Sequence, residues 1–220
     1  FRQMKFSYYV KQAVKKPYLI KTAFYKKHLG IIISFDLKDV DDRPMRDSRD
    51  SFVIRRCLDA GEITEYYHQI GRDSLTYDKI YQWLEKGNDC WVIYDHNVII
   101  GATWVLFGEF EIPQLSGRCL SENKRIVFDP NAGYVCYSFV NKEYRGQGLN
   151  QQLIRTIKYH YKHSATVEQL IAITGANNAA YIRSANKNNG FVIGIVEVVN
   201  ICGFLIRKEY FIDKKEKSWL

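Results

Sequence analysis

The stretch "VNKEYRGQGLN", residues 140–150, decides the interpretation of this sequence, because two glycines stand where a strand-like segment runs into a helix-like one. The segment before it, "GYVCYSFV" (133–140), predicts a strand. The segment after it carries apolar residues at the spacing of one helix face, namely Leu149, Leu153, Ile154, Ile157 and Tyr161. Glycines at such a junction leave backbone N–H groups open at the positive end of a helix dipole. The loop therefore suits a phosphate or pyrophosphate, although a plain tight connection has the same composition.

Two nucleotide-binding motifs do not fit this loop. A Walker A motif needs Gly-Lys-Ser/Thr four residues after its first glycine, and no such tripeptide follows Gly146. A dinucleotide-binding fingerprint needs a third glycine at position 151, where the chain has Gln151. Arg145 can add a charge-assisted contact to an anion. If the loop binds a phosphate or pyrophosphate, it therefore does so through neither of these two motifs.

The segments around the loop alternate between strand-like and helix-like patterns. From residue 51 the predicted order is one strand, two helices, three strands, a helix, a strand, a helix and two closing strands. Two of the three consecutive strands, "CWVIYD" (90–95) and "NVIIGATWVLFGEFEI" (97–112), form a predicted hairpin. This order predicts one α/β domain. At 220 residues the chain is long enough for such a domain and an extension.

The loop resembles the acyl-CoA-binding motif of the GNAT superfamily of N-acyltransferases, whose pattern is Arg/Gln-x-x-Gly-x-Gly/Ala after a strand that ends in valine. Arg145 and Gly148 fit that register, and Asn150 stands where the family usually has Gly or Ala. Downstream, "NNAAYIRSANKNNGF" (177–191) is similar to the second motif of the family, an Asn-led helix that ends in Gly-Phe. The resemblance covers about residues 51–212. It implies the GNAT fold, a mixed, mostly antiparallel central sheet with flanking helices.

The resemblance also implies an activity and a set of cofactor-binding residues. The expected reaction is direct transfer of an acetyl group from acetyl-CoA to a primary amine, without a covalent enzyme intermediate and without a metal. The loop backbone would hold the pyrophosphate, the splayed end of the fourth strand would align the pantetheine arm and offer an N–H to the developing oxyanion, and the second-motif helix would contact the arm. The residues so implied are Arg145, Gly146, Gln147, Gly148, Leu149 and Asn150 for the loop, Phe139 and Val140 for the strand, and Asn177 or Asn178 for the helix.

The catalytic candidates are less strongly marked. Direct transfer requires a base for the ammonium and an acid for the leaving thiolate. Glu109 and Glu111 alternate at the predicted end of the third strand and are candidate bases, with Glu109 preferred, although alternating acids also form a solvated face. Many family members have a tyrosine four residues before the glycine of Gly-Phe, where this chain has Asn186. Tyr181, earlier on the same helix, is the candidate acid, and Tyr137 is a weaker alternative.

The local composition divides the chain into four segments. Residues 1–40 form a basic, aromatic extension that ends in the strand-like "GIIISFDL", and residues 41–50 form a charged linker. Residues 51–212 form the acyltransferase domain, and residues 213–220 form a charged tail. The order of extension, short strand, linker and domain also loosely resembles GNAT proteins of bacterial cell-surface polysaccharide pathways, which implies an amino sugar as one possible acceptor.

The excess positive charge lies at the front of the chain. The net charge is +8, and no acidic residue precedes Asp36. The basic residues of this segment alternate with aromatic and aliphatic ones and are Arg2, Lys5, Lys11, Lys15, Lys16, Lys21, Lys26 and Lys27. Such a segment is typical of a membrane-surface contact, or of a helix docked on the domain with its lysines in water. An anionic membrane is the expected partner of residues 1–30, and nucleic acid is not.

The cysteines predict a reduced, cytoplasmic protein, which the basic extension could also hold at the inner face of the membrane. Neither a Cys-x-x-Cys pair nor a secretory leader is present in the sequence, and the cysteines are dispersed through apolar runs: Cys57, Cys90, Cys119, Cys136 and Cys202. The histidines show no metal-ligand spacing. No pattern in the sequence predicts the oligomeric state.

Two alternatives remain open besides acetyl transfer. The same fold could transfer a long acyl chain from CoA or from an acyl carrier protein, whose acidic surface the basic extension could recognise. A catalytically silent domain could instead bind a membrane or nucleic acid, and Asn186 in place of a tyrosine leaves room for this. Salt-dependent binding that depends on the extension would favour the silent domain.

Overall fold

The computed structural model describes residues 25–38, 40, 52–111, 118–119, 125–127, 130–164, 166–201 and 204–211. The basic residues of the extension before Tyr25, the predicted linker and the charged tail lie outside these ranges. The expectations about their membrane or nucleic-acid contacts therefore stay predictions.

Eleven strands and four helices make up the described part of the chain. The strands are β1 (Tyr25–Asp36), β2 (Phe52–Cys57), β3 (Asp89–Asp95), β4 (Val98–Phe107), β5 (Glu109–Glu111), β6 (Arg118–Cys119), β7 (Arg125–Val127), β8 (Ala132–Val140), β9 (Gln169–Gly175), β10 (Gly190–Ile201) and β11 (Phe204–Phe211). The helices are α1 (Ala60–Gln69), α2 (Tyr77–Glu85), α3 (Leu149–Lys162) and α4 (Ala179–Lys187). The predicted order of elements from residue 51 is confirmed, with three short strands added between β4 and β8.

Nine strands form one twisted sheet in the order β2-β3-β4-β8-β9-β1-β10-β11-β6. Within it, β8 pairs with β9 in parallel, as β6 does with β11, and the other neighbours are antiparallel. The mixed, mostly antiparallel sheet with flanking helices is therefore confirmed. The two remaining strands, β5 and β7, pair with each other in a separate small sheet.

The sheet carries an apolar core on each face, because successive side chains of a strand point to opposite sides. In β3, Trp91 and Ile93 pack in the cluster under α3, whereas Cys90 and Val92 pack in the cluster under α1 and α2. Trp104 of β4 is fully buried in the second cluster. Both faces of the central strands are thus covered, and only the strand ends are left to build a site.

Strand β1 lies inside the sheet, between β9 and β10. It pairs antiparallel with both, through partners such as Gly30 with Gly175 and Ile31 with Ile195. The sequence placed this strand in an extension that ends at residue 40, outside a domain beginning at residue 51. The structure instead makes it part of the central sheet, because its apolar side chains are buried on both faces. Phe35, for example, is fully buried.

The strand predicted at residues 97–112 is wrong at its far end. Strand β4 stops at Phe107, because Gly108 takes a left-handed φ of 75° and breaks the extended backbone. Glu109 and Glu111 lie beyond this break, in β5 of the small sheet. They therefore do not end the long strand as the sequence predicts. Their side chains lie outside the part of the chain that the structure describes.

A gap opens between β8 and β9. Their parallel pairing runs from Ala132 opposite Gln169 to Val135 opposite Ala172 and goes no further. Strand β8 continues to Val140 without this partner, while β9 turns toward β1 and pairs with it as far as Gly175. The unpaired strand edges leave backbone groups free at the carboxyl end of β8, directly before the glycine loop.

Candidate functional site

A cavity of about 640 Å³ lies at this gap. Its size falls within the range of small-molecule binding sites. Three parts of the chain line it: the end of β8, the glycine loop with the start of α3, and one face of α4 along its whole length. A single residue from the α1–α2 connection, Arg72, also contributes. Of the predicted cofactor-binding residues, those that line the cavity are Phe139, Val140, Arg145, Gly146, Gly148, Leu149, Asn150 and Asn178.

The glycine loop has the backbone that a close anion contact needs. Gly146 and Gly148 have φ values of 81° and 77°, a left-handed region that residues with a side chain rarely adopt. A Cβ on either glycine would meet no protein atom within 4 Å, so the space above them is open. Gly148 is the N-cap of α3 and supplies no side chain to its first turn. The N–H groups at the start of α3 are therefore available to an anion, at the positive end of the helix.

The loop is fixed to the sheet by three hydrogen bonds. The N–H of Asn141 donates to the carbonyl of Ile100 at 2.8 Å, and the Tyr144 hydroxyl donates to Asp95 Oδ2 at 2.9 Å. Arg145 folds back, so that its Nε donates to the carbonyl of Val140 at 3.0 Å. The loop is thus held in place before any ligand arrives, which lowers the entropy lost on binding.

The hydrogen bond of Asn141 shows which backbone groups of β8 face the gap. In an antiparallel pair, the N–H and carbonyl of one residue point toward the partner strand and those of the next point away. Since Asn141 bonds to β4, and Phe139 stands opposite Ala102 in regular register, the N–H of Val140 points away from β4 and into the gap. Of the two strand residues predicted to align a ligand, Val140 is therefore the one whose N–H is free to do so.

Asn150 has a structural partner. Its Nδ2 donates to Ser184 Oγ at 3.1 Å, which joins the first turn of α3 to α4. A second link joins the same helices, since Asn188 Nδ2 donates to the carbonyl of Gln151 at 3.2 Å. The departure from Gly or Ala at position 150 thus ties together two of the helices that line the cavity.

The remaining predicted contacts are only partly brought together. Asn178 lines the cavity, and its side chain also caps α4, because Oδ1 accepts from the N–H of Tyr181 at 3.3 Å. Its Nδ2 donates to Thr174 Oγ1 at 3.0 Å. The described residues Asn177 and Gln147 are not among those that line the cavity. The cavity is therefore lined by most of the predicted loop residues but by only one of the two predicted asparagines of the second motif, Asn178.

Tyr181, the candidate acid, lies in the cavity wall. Its hydroxyl is enclosed and makes no hydrogen bond of ordinary geometry with a side chain or backbone group that the structure describes. Burial raises the pKa of this phenol, the nearby Cys136 thiol raises it further, and the Ser138 hydroxyl close by lowers it slightly. The phenol is therefore protonated at neutral pH. An enclosed hydroxyl without a bonded partner, next to a ligand-sized space, fits a proton donor to a bound group.

Tyr137, the weaker alternative, does not line the cavity, but its backbone shapes the gap. Its φ is 50°, a left-handed value that is strained for a tyrosine, and the pairing of β4 with β8 shifts register at this point. The hydroxyl of Tyr67 donates to the carbonyl of Tyr137 at 3.0 Å, and that of Tyr66 reaches the carbonyl of Phe139 at 3.4 Å. Helix α1 thus satisfies carbonyl groups of the irregular part of β8.

Substituting Tyr67 by phenylalanine is expected to lower the free energy of unfolding by about 1–3 kcal/mol, because a buried carbonyl loses its partner. Tyr66→Phe is the matched control. The hydrogen bond of the Tyr66 hydroxyl is longer, and its acceptor, the carbonyl of Phe139, also faces β4. The free energy of unfolding should therefore fall by about 1 kcal/mol or less in this variant. Chemical denaturation of both variants measures the difference. Equal losses would show that the irregular strand does not depend on Tyr67.

Three further cations line the cavity and are not among the residues predicted from the sequence. Arg183 and Lys187 lie four residues apart on α4, on the same helix face, and Arg72 comes from the α1–α2 connection. Together with Arg145 they are the charged side chains among the described lining residues, so every charge there is positive. The i, i+4 spacing within the second motif could have identified Arg183 and Lys187, whereas no local pattern marks Arg72.

The described ranges contain no group of three or more His, Cys, Asp and Glu side chains arranged to hold a metal ion. No described helix combines the length and the apolarity that crossing a membrane requires.

The comparisons with known proteins agree with this geometry. Residues 58–191 match the sequence model of the acetyltransferase (GNAT) family. No curated protein sequence matches the chain significantly.

Among solved structures, a GCN5-related N-acetyltransferase from Sphaerobacter thermophilus is similar with a TM-score of 0.58 and 15% identity, over 89% of this chain and 56% of that one. An acetyltransferase of the GNAT family from Colwellia psychrerythraea has a TM-score of 0.53 and 11% identity, over 84% and 57%. A tandem GNAT protein from the clavulanic acid biosynthesis pathway has a TM-score of 0.53 and 14% identity, over 86% and 59%. The chain thus spans less than two thirds of each of these structures, and at these identities the likeness is one of fold.

Proposed function

Because the chain belongs to the GNAT family of acetyltransferases, we propose that it transfers an acetyl group from acetyl-CoA directly to the primary amine of a small-molecule or carrier-linked acceptor. The single observation that carries the proposal is the open glycine loop at the head of α3. Two left-handed glycines, an uncapped helix N-terminus and a lining whose described charges are all positive meet in one ligand-sized cavity. A pyrophosphate is the group that this combination suits best.

Acetyl-CoA supplies a thioester, whose acyl carbon is open to attack by an amine. The residues of the chain have three tasks around it. The N–H groups at the start of α3 hold the phosphates, together with Arg145. The free N–H of Val140 donates to the thioester oxygen or aligns the pantetheine arm along the unpaired edge of β8. The Tyr181 hydroxyl gives its proton to the departing sulfur. Glu109 remains the proposed base that takes the proton of the ammonium.

Calorimetric titration tests the donor. We expect acetyl-CoA and CoA to bind with micromolar dissociation constants, because the phosphates common to both make most of the contacts. A long-chain acyl-CoA tests the alternative donor, since a donor site built for a long chain would bind it more tightly than acetyl-CoA. Failure of all three ligands to bind would contradict the proposal and leave the loop as a plain connection. An amine panel with detection of released thiol then tests the transfer itself.

The cytoplasm is the proposed location, because the dispersed cysteines fit a reducing compartment. A peripheral contact of residues 1–30 with anionic lipid remains part of this proposal. Sedimentation with anionic vesicles at low and high salt would test it, because contacts of lysine with lipid headgroups weaken as salt increases.

A further inference from the structure

Arg72 stands apart from the other cations of the cavity. It belongs to the connection between α1 and α2, and its guanidinium lies 4.5 Å from the centroid of the Phe139 ring. Side chains of neighbouring strand residues point to opposite faces. Since Val140 packs in the cluster under α3, the Phe139 ring points to the opposite face, that of α1 and α2. Arg72 therefore enters the cavity from the side of the sheet opposite the glycine loop.

The position of Arg72 is fixed by its backbone. Its N–H donates to the carbonyl of Tyr67 at 2.8 Å, and its carbonyl accepts from the N–H of Leu75 at 3.0 Å. Leu75 is buried between the two helices. With its backbone bonded and its guanidinium stacked on an aromatic ring, this arginine loses little further conformational entropy on binding a ligand.

The charge of Arg72 has no acidic partner among the described residues. The acid next to it in sequence, Asp73, lies 3.7 Å from His68 Nε2, and no described Asp or Glu lines the cavity. An exposed guanidinium on a ring, beside a ligand-sized space, is available to an incoming anion. Its planar donors match a carboxylate or a phosphate.

A hydroxyl lies on the same face of the sheet. The ring of Tyr137 packs against Trp83, with 5.4 Å between centroids, and its hydroxyl is enclosed without a described hydrogen-bond partner. The charge of Arg72 lowers the pKa of this phenol, against the larger effect of burial, which raises it. The cation and the hydroxyl thus lie on the same face of the sheet, but Arg72 alone of the two lines the cavity.

We propose that Arg72 binds an anionic group of the acceptor, so that the preferred acceptor is a primary amine that also carries a carboxylate or a phosphate. This inference rests on the proposed function, because it assumes that the loop side of the cavity holds the donor. It adds the class of acceptor, which the family alone does not give. Arg72 acts as a specificity-determining residue and takes no part in proton transfer.

Matched amine pairs test the inference with the full chain and acetyl-CoA. The pairs are β-alanine with its amide, phosphoethanolamine with ethanolamine, and glucosamine 6-phosphate with glucosamine, so that the first pair tests a carboxylate and the others a phosphate. We expect kcat/KM, measured by thiol release, to be at least about tenfold higher for an anionic amine than for its neutral partner, which one charge-assisted hydrogen bond can supply. Equal values in every pair, or turnover of neutral amines alone, would overturn the inference and leave the proposed function standing.

Variants of Arg72 locate the effect. Arg72→Ala should lower kcat/KM for the preferred anionic amine about 10- to 100-fold and leave its neutral partner within about twofold. Arg72→Lys keeps the charge but loses the planar fork, so its kcat/KM for the anionic amine should lie between those of the wild type and of Arg72→Ala. The matched control is Arg55→Ala, since Arg55 also stacks on a tyrosine, at 4.6 Å from the Tyr94 ring, but does not line the cavity. Arg55→Ala should leave kcat/KM unchanged for both the anionic amine and its neutral partner.

Acetyl-CoA affinity separates a failure of this inference from a failure of the proposed function. It should be unchanged in Arg72→Ala and weakened in Arg145→Ala. If Arg72→Ala weakens acetyl-CoA binding instead, Arg72 belongs with the donor phosphates and the inference is overturned. If the wild-type chain binds acetyl-CoA but accepts no anionic amine of the panel, the inference also falls. If the wild-type chain binds no acetyl-CoA, the proposed function falls, and this inference with it.

Discussion

Replacing Gly148 with leucine is expected to abolish the binding of acetyl-CoA, with a rise of at least about 100-fold in the dissociation constant, or about 2.7 kcal/mol. Gly148 lies at the head of α3 with no protein atom within 4 Å of the position of a Cβ. A leucine side chain would therefore fill the space that we assign to the pyrophosphate. It would also shield the first N–H groups of α3, which no side chain caps. Calorimetric titration with acetyl-CoA measures this loss directly.

Gly87→Leu is the matched control for this substitution. Gly87 follows α2 with a φ of 78°, against 77° at Gly148, and a Cβ there also meets nothing within 4 Å. Both variants therefore carry a similar backbone strain of about 1–2 kcal/mol. Of these two glycines, only Gly148 lines the cavity. If both variants lose affinity equally, the effect is one of stability, and the loop has not been shown to bind acetyl-CoA.

The second large effect is expected for Tyr181→Phe, which should lower kcat about 10²- to 10⁴-fold, the range for the loss of a general acid. Acetyl-CoA affinity should stay nearly constant, because the substitution removes one hydroxyl, which makes no hydrogen bond of ordinary geometry with a described group. The readout is thus a fall in kcat without a matching change in the dissociation constant. Tyr144→Phe is the comparison within the same cavity, since its hydroxyl is bonded to Asp95 and holds the glycine loop. Its loss should weaken the binding of acetyl-CoA but leave kcat nearly unchanged, which is the opposite pattern.

The pH profile gives a further check on Tyr181. Burial raises the pKa of its phenol above the ordinary value of 10.0, so the hydroxyl stays protonated and able to donate throughout the neutral and mildly alkaline range. No loss of rate due to Tyr181 should occur as the pH rises toward 10. An alkaline loss of rate that begins well below that value, and disappears in Tyr181→Phe, would mean that the phenol ionises earlier than its burial allows. It would then be a poor candidate for the acid.

Local patterns in the sequence predicted the helices and most strands well. The apolar spacing of Ile63, Tyr66 and Tyr67 predicts α1, and all three side chains are buried in it. The glycine loop was identified because its signal is contained within a few residues. The family, and with it the fold, followed from two short motifs and the order of elements.

Features that depend on distant partners were not predictable in this way. The apolar run at the end of β1 predicts a strand, but nothing local tells which strands it will join. Arg72 is a single charge in a turn, and only the folded chain shows that it stacks on Phe139. The carbonyl of Tyr137, at the strained point of β8, accepts from a hydroxyl that lies 70 residues earlier in the chain. Such features are set by tertiary contacts, which sequence periodicity does not encode.

The interior position of β1 has a consequence for how the chain folds. A ribosome completes this strand long before either of its neighbours, since Gly30 pairs with Gly175 and Ile31 with Ile195. Closing a loop of that length carries a large entropy cost before any contact is gained, which slows folding. Until β9 and β10 emerge, the apolar face of β1 has no strand to join and is open to aggregation or to chaperones. The half of the sheet beyond β9 is therefore expected to assemble last, only after β10 and β11 have been synthesised.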